Sequence, residues 1–273
     1  MSGNDTNGLN STVSGNAQPS ASLEGCIIVY VLTLAAFTYG LISWCLIKKF
    51  RNYKNYTFLC TIFANLLLLT CGFIASTSNW LYFSTLFYFY TVKHYWLLVI
   101  SHMFYVDFVK VFNGNINRKY LKSSIFSWGV PLIPTVGTLF FGIWKSDIGK
   151  KYVGIILMIL FATLILPLVV NCILYIIILC SLCRSFKTNE PTTSNTCRRL
   201  SLATLIFILS DVSLLSSYII MIVMSAPSPG FVLELLLLFW STLVLELFLV
   251  VGKRNREVWS EYIERQLAKY RAK

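Results

Sequence analysis

Seven apolar stretches of about 20 residues, at 26–47, 57–76, 85–109, 123–143, 152–179, 200–224 and 231–251, alternate with short basic or polar connections. At ~1.5 Å rise per residue, each run covers the ~30 Å hydrocarbon core of a bilayer. A spanning segment must satisfy its own backbone in lipid, which leaves helices and closed barrels. None of these runs has the period-two alternation of a barrel strand. One such run is compatible with a buried helix of a soluble protein; seven in series predict an all-α fold, a seven-transmembrane helix bundle. The chain then divides into a tail at 1–25, a membrane domain at 26–251 and a terminal segment at 252–273.

Composition points the same way: 56% hydrophobic and 12% charged residues leave too little polar surface for a soluble globule. The net charge of +12 would suit a nucleic-acid partner, but the placement of the charge argues against one. Lys48-Lys49-Phe50-Arg51-Asn52-Tyr53-Lys54, the stretches 110–122 and 184–199, and the tail from Lys253 are basic. The first 25 residues and the connections near Ser78 and Pro227 have no Lys or Arg; Lys145, Lys150 and Lys151 are the exception to the alternation. The positive-inside rule therefore predicts an outer N-terminus and a cytoplasmic C-terminus. The basic surplus reads as a topology signal and a contact with anionic inner-leaflet lipid, with no nucleic-acid partner. The expected location is an integral, multi-pass one in the plasma membrane.

The tail at 1–25 is rich in Asn, Ser, Thr and Gly and is expected to be disordered. It lacks the basic start and apolar centre of a cleaved leader, so the first helix is expected to act as the signal. Asn4-Asp5-Thr6 and Asn10-Ser11-Thr12 are glycosylation sequons on the predicted outer side. Asn55-Tyr56-Thr57 also matches, but its cytoplasmic placement predicts no modification. None of the eight cysteines falls in an outer loop, so no disulfide framework is expected. Cys180 and Cys183, at the inner end of the fifth helix, suit either packing or palmitoylation. In 255–271, Trp259, Tyr262, Ile263, Leu267 and Tyr270 lie near one helical face, the pattern of an amphipathic helix in the inner interface.

Ionisable residues inside membrane helices are costly and mark functional sites. Here they are Lys93, His94 and His102 in the third helix, Asp211 in the sixth, and Glu234 and Glu246 in the seventh. Lys93 and Glu234 fall in the outer half, where they either pair across helices or each reach the headgroups. His102 and Glu246 fall at similar depths in the inner half and suit the same kind of pairing. Asp211 is flanked by Ser210, Ser213, Ser216 and Ser217, which suits interhelical hydrogen bonds or an ion site. Pro167, four residues before Asn171, is expected to kink the fifth helix, and Pro131 and Pro134 the fourth. There is no HExxH, no Cys/His metal spacing, no glycine-rich phosphate loop and no Gly-x-Ser-x-Gly. Neither an enzyme nor a cofactor is expected.

Trp96, Tyr105 and Lys110-Val111-Phe112 in the third helix are followed by Tyr120-Leu121-Lys122 and Ser127-Trp128-Gly129-Val130-Pro131 at the start of the fourth. Asn65-Leu66-Leu67-Leu68 lies in the second helix, Asn171 in the fifth, and Asn255-Arg256-Glu257-Val258 opens the terminal segment. In order and spacing this set resembles the secretin/adhesion class of G-protein-coupled receptors, over nearly all of the chain from the first helix onward. The chain departs from that class at Ile100, where a Glu is usual, and at Leu243-Val244, in place of Gln-Gly. It also lacks the outer disulfide and the sixth-helix Pro/Gly/Trp cluster. With about 25 residues ahead of the first apolar stretch, neither a hormone-binding nor an autoproteolytic ectodomain is expected, and the expected protein is a divergent receptor. The resemblance implies an outer ligand cavity, assigned to Lys93, Trp96 and Glu234, for an unknown or self-generated signal. It also implies an inner face toward a heterotrimeric G protein, assigned to Lys110, Arg184, Arg198 and Arg199. Two other readings stand beside it: a transporter or channel using Asp211, His102 and Glu246, and a non-signalling membrane interaction protein.

Overall fold

The computed structural model describes residues 19–74, 80–108, 118–143, 147–186 and 253–271. Among them all regular structure is helical, with no strand. The elements are α1 (Pro19–Leu46), a 3-10 turn (Lys48–Phe50), α2 (Tyr53–Ile74), α3 (Trp80–Phe108), α4 (Lys119–Ser124), a π-turn (Ile125–Gly129), α5 (Val130–Ile143), α6 (Asp147–Phe186) and a C-terminal helix, α7 (Lys253–Arg271). The first five apolar stretches thus appear as helices, the fourth being the continuous run of α4, π-turn and α5. The stretches 200–224 and 231–251 lie outside the described residues. Segments long and apolar enough to cross a membrane are Ile27–Leu46, Tyr53–Cys71 and Ala162–Ser181.

Local chemistry sets the boundaries. The first helix opens at Pro19, ahead of the expected start at Cys26, because Pro is pre-organised for the first helical position and Ala21, Leu23 and Glu24 sustain a helix. Residues 19–25 are therefore helical where a disordered tail was expected. At the other end of α1, Arg51 folds back: Nε donates to the Trp44 carbonyl at 2.8 Å and Nη2 to the Cys45 carbonyl at 2.7 Å. These two carbonyls belong to the last turn, where no intrahelical donor remains. The next helix opens at Tyr53 rather than Thr57 because Asn52 Oδ1 accepts the Asn55 N–H at 2.9 Å, an N-cap. Asn55 itself is buried and its Nδ2 donates to the Phe50 carbonyl at 3.1 Å, so the third sequon is occupied structurally.

The hub is α3, which packs against α2, α5, α6 and the π-turn. Seven consecutive residues, 91–97, are all buried, and two successive turns of a helix present side chains in every direction. Its length of 29 residues exceeds a bilayer span, but its Tyr and Trp content with Lys93 and His94 makes it less apolar than the three segments above. A helix shielded by neighbours can carry such residues.

The fourth run stays continuous through two prolines. Pro131 and Pro134 remove two backbone donors, and the turn just before them is π rather than α. A neighbour helps to satisfy this irregular turn: Tyr88 of α3 donates to the Trp128 carbonyl at 3.1 Å. Pro167 is likewise accommodated inside α6.

The helices alternate in direction. Tyr53 and Tyr56, at the start of α2, meet Ser123 and Ser124, at the end of α4, through paired hydroxyls. His102 and Val106, near the end of α3, line the same cavity as Asn52 and Lys119. Val170 and Leu174 of α6 join them, and Phe186 lies twelve residues, ~18 Å, further along the helix. The C-terminal helix packs on the 3-10 turn that follows α1. The ends of α1, α3 and α6 therefore share one face with the starts of α2, α4 and the C-terminal helix.

Candidate functional site

Polar chemistry gathers in three places, starting with the centre of α3. Lys93 is 2% exposed, as is His94. Counted along the 29-residue helix, Lys93 lies ~20 Å from the Trp80 end and further from Phe108. Lys93 is thus enclosed in mid-helix rather than at either helix end. Nδ1 of His94 lies 2.8 Å from the Tyr90 carbonyl. A carbonyl only accepts, so Nδ1 carries the proton in that contact and His94 is tied to its own helix.

Beside Lys93, Trp96 is fully buried in a cluster with Ala64, Val92 and Val99, against Tyr56 and Trp128. Its ring centroid is 6.0 Å from Tyr56 and 6.5 Å from Trp128, both edge-on. Trp96 thus packs α3 against α2 and the π-turn. The Trp96 Nε1, both amide atoms of Asn65, Ser127 Oγ and Asn171 Oδ1 are buried without hydrogen-bond partners among the described residues.

The second place is a cavity of about 680 Å³ at the face shared by the α3 end and the α2 and α4 starts. Lys54, Lys119, Lys122 and exposed His102 border it, and the rest of its lining is largely aliphatic or aromatic.

The third is the seat of the C-terminal helix. Trp259 Nε1 donates to Ser43 Oγ at 3.0 Å, Ser43 donates to the Tyr39 carbonyl at 2.7 Å, and the Trp259 ring stacks on Tyr39 at 5.9 Å. Val258, Trp259 and Tyr262 pack on the core around Ile47 and Phe50. An ion pair joins Lys49 to Glu261, and Arg265 approaches the same carboxylate at 3.8 Å. The Lys49 hydrogen bond and charge hold the Glu261 carboxyl below its ordinary value of 4.5. Ile263, Leu267 and Tyr270 remain 49%, 51% and 81% exposed, in a row along the helix.

Of the residues singled out from sequence, Lys93, Trp96 and Asn171 are buried in the helix core, whereas His102 is exposed at the cavity. Arg184 lies in the last turn of α6. Asn4, Asn10, Lys110, Arg198, Arg199, Asp211, Glu234 and Glu246 lie outside the described residues. Sequence reading missed Arg51 and Asn52, whose capping roles depend on where the helices stop, and the Tyr53–Ser123 and Tyr56–Ser124 pairs. It also missed Lys54, Lys119 and Lys122 as a set; the spacing of the last two, three apart at a helix start, was the available clue. Among the described residues no group of three His, Cys, Asp or Glu side chains is placed to hold a metal. No protein-family model matches the chain, and no curated protein matches it.

Proposed function

We propose that the chain is a seven-helix receptor, a divergent relative of the secretin/adhesion class that passes an extracellular or self-generated signal to a heterotrimeric G protein. The observation that carries this reading is the clasp of the C-terminal helix. Trp259, Tyr262 and Glu261 fasten it to the face where α1 ends, opposite the end at which α1 begins. The fifth helical run passes the basic cavity at Val170 and Leu174 and continues to Phe186, which supports an even number of further crossings before Lys253. Two crossings, by 200–224 and 231–251, would give seven in all.

The family-like residues support the same proposal by where they meet. Trp96 and Trp128 come from separate motifs and pack edge to face at one helix junction. Signalling would proceed by displacement of the inner ends of the third, fifth and sixth helices, with Lys110, Arg184, Arg198 and Arg199 facing the G protein. Lys93 is buried in mid-helix, and Glu234 is its proposed partner. The transporter reading draws on His102; the cavity it borders is walled mainly by apolar side chains, which suits a polar conduction path poorly.

The test is second-messenger output in cells with and without the chain, against a variant in which Arg184, Arg198 and Arg199 are all Ala. Constitutive or ligand-raised output that the triple variant loses at equal surface expression is the expected result. Equal output from cells with and without the chain, across cyclic nucleotide and calcium readouts, would remove the receptor reading.

A further inference from the structure

The cavity on the basic face has a chemistry that signalling does not account for. Its rim carries Lys54, Lys119 and Lys122. Lys119 and Lys122 are three apart on α4 and so occupy one side of it. That helix is fastened to α2, which carries Lys54, by the Tyr53–Ser123 and Tyr56–Ser124 hydroxyl pairs. The three ammonium groups thus stand on one joined framework rather than on separate loops.

Beneath this rim the walls are apolar: Val99, Met103 and Val106 of α3, Phe126 of the π-turn, and Val170 and Leu174 of α6. Elsewhere on the fourth run Leu121, Ile125 and Ile133 are exposed apolar side chains, a surface that a bilayer would cover. The cavity volume of about 680 Å³ falls within the ~300–1,000 Å³ of small-molecule sites.

We propose that this groove binds one anionic phospholipid of the cytoplasmic leaflet, its phosphate between Lys54, Lys119 and Lys122 and one acyl chain along Met103, Phe126 and Leu174. Charge complementarity selects the headgroup: three ammonium groups attract phosphate and repel the choline of a zwitterionic lipid. Lysine, a point charge on a flexible stem, is suited to a phosphate that need not be gripped in a fixed plane. The apolar depth selects a lipid over a soluble phosphate, which would leave the floor wet. The proposal rests on the membrane reading but not on G-protein coupling.

Native mass spectrometry of the full chain in detergent tests it, with phosphatidylinositol 4-phosphate, phosphatidylcholine of the same acyl chains, and free inositol bisphosphate as probes. One equivalent of the anionic lipid should bind, the choline lipid should not compete, and the free headgroup should compete far more weakly. Replacing both Lys119→Gln and Lys122→Gln should weaken binding roughly ten- to thirtyfold, while Lys48→Gln with Arg256→Gln, also basic and on the same face, should change it by less than about twofold. Equal affinity for the two lipids, full competition by the free headgroup, or equal losses in both double variants would overturn the site. The unaltered chain supplies a check independent of variant folding: a lipid with a photoreactive acyl chain should crosslink within 99–106 or 120–126. Crosslinks found only elsewhere would also overturn it. Lipid captured at the groove by a chain that raises no second messenger would uphold the groove and remove the receptor.

Discussion

Lys93 and Arg51 show how differently two cations are legible in the same chain. A lysine inside an apolar run is visible in sequence because its desolvation is costly wherever the helix ends lie. The structure adds that it is 2% exposed in mid-helix. If Glu234 is its partner, Lys93→Glu and Glu234→Lys alone should each destabilise the chain by about 1–3 kcal/mol and lower surface expression. The charge-swapped double variant should recover it. Purely additive losses in surface labelling would show that the two do not pair. Arg51 is invisible in this sense, since its value lies in two carbonyls whose orphan status is known only once α1 is seen to stop at Leu46. Arg51→Ala should lower stability in detergent by about 1–2 kcal/mol, from two lost bonds of which each was charge-assisted. Lysine there should restore only part of the loss in a thermal-unfolding measurement, because one ammonium cannot reproduce the fork.

At the scale of the element, apolar runs located the helices but not their ends. Asn52 begins α2 a turn before the apolar stretch does, and Pro19 begins α1 in what composition assigns to a tail. The C-terminal helix was legible as amphipathic. Its pattern did not reveal that the apolar side is divided, with Val258, Trp259 and Tyr262 against the protein and Ile263, Leu267 and Tyr270 left exposed. The first set needs the tertiary position of Tyr39 and Ser43 to be understood, and no periodicity supplies that. Trp259→Ala should destabilise the docked helix by about 2 kcal/mol, less than for a fully buried Trp.

The ion pair beside Trp259 gives a pH signature. Glu261 has a lowered folded-state value, set by Lys49 first and Arg265 less, so its contribution is present above the ordinary value of 4.5. That contribution is lost as pH falls through the folded-state value. Spin labels on the C-terminal helix and the α1–α2 turn should accordingly report a broadening distance distribution as the pH falls below about 4.5. Glu261→Gln should remove that change. An unaltered pH dependence in the Gln variant would assign the loosening to another group.

For the whole molecule, the all-helical character of the described residues and the antiparallel course of the first five runs follow from the apolar pattern and the basic connections. The hub role of α3 does not. Its aromatic and charged residues make it less apolar than its neighbours, and only packing explains why they are tolerated. Similarly, Lys54, Lys119 and Lys122 are ordinary basic residues in the sequence until the Tyr–Ser pairs bring α2 and α4 together. The larger claim is that the chain crosses the membrane an odd number of times, with the Pro19 end of α1 outside and the clasped C-terminal helix inside. Topology mapping tests this most directly, in intact and permeabilised cells, by glycosidase-sensitive mass shifts and an epitope tag after Lys273. The unaltered chain should show a shift that disappears when Asn4 and Asn10 are both replaced by Gln, with a tag reached by antibody only after permeabilisation. Modification at Asn55 in place of Asn4 and Asn10, or a tag accessible on intact cells, would contradict that topology.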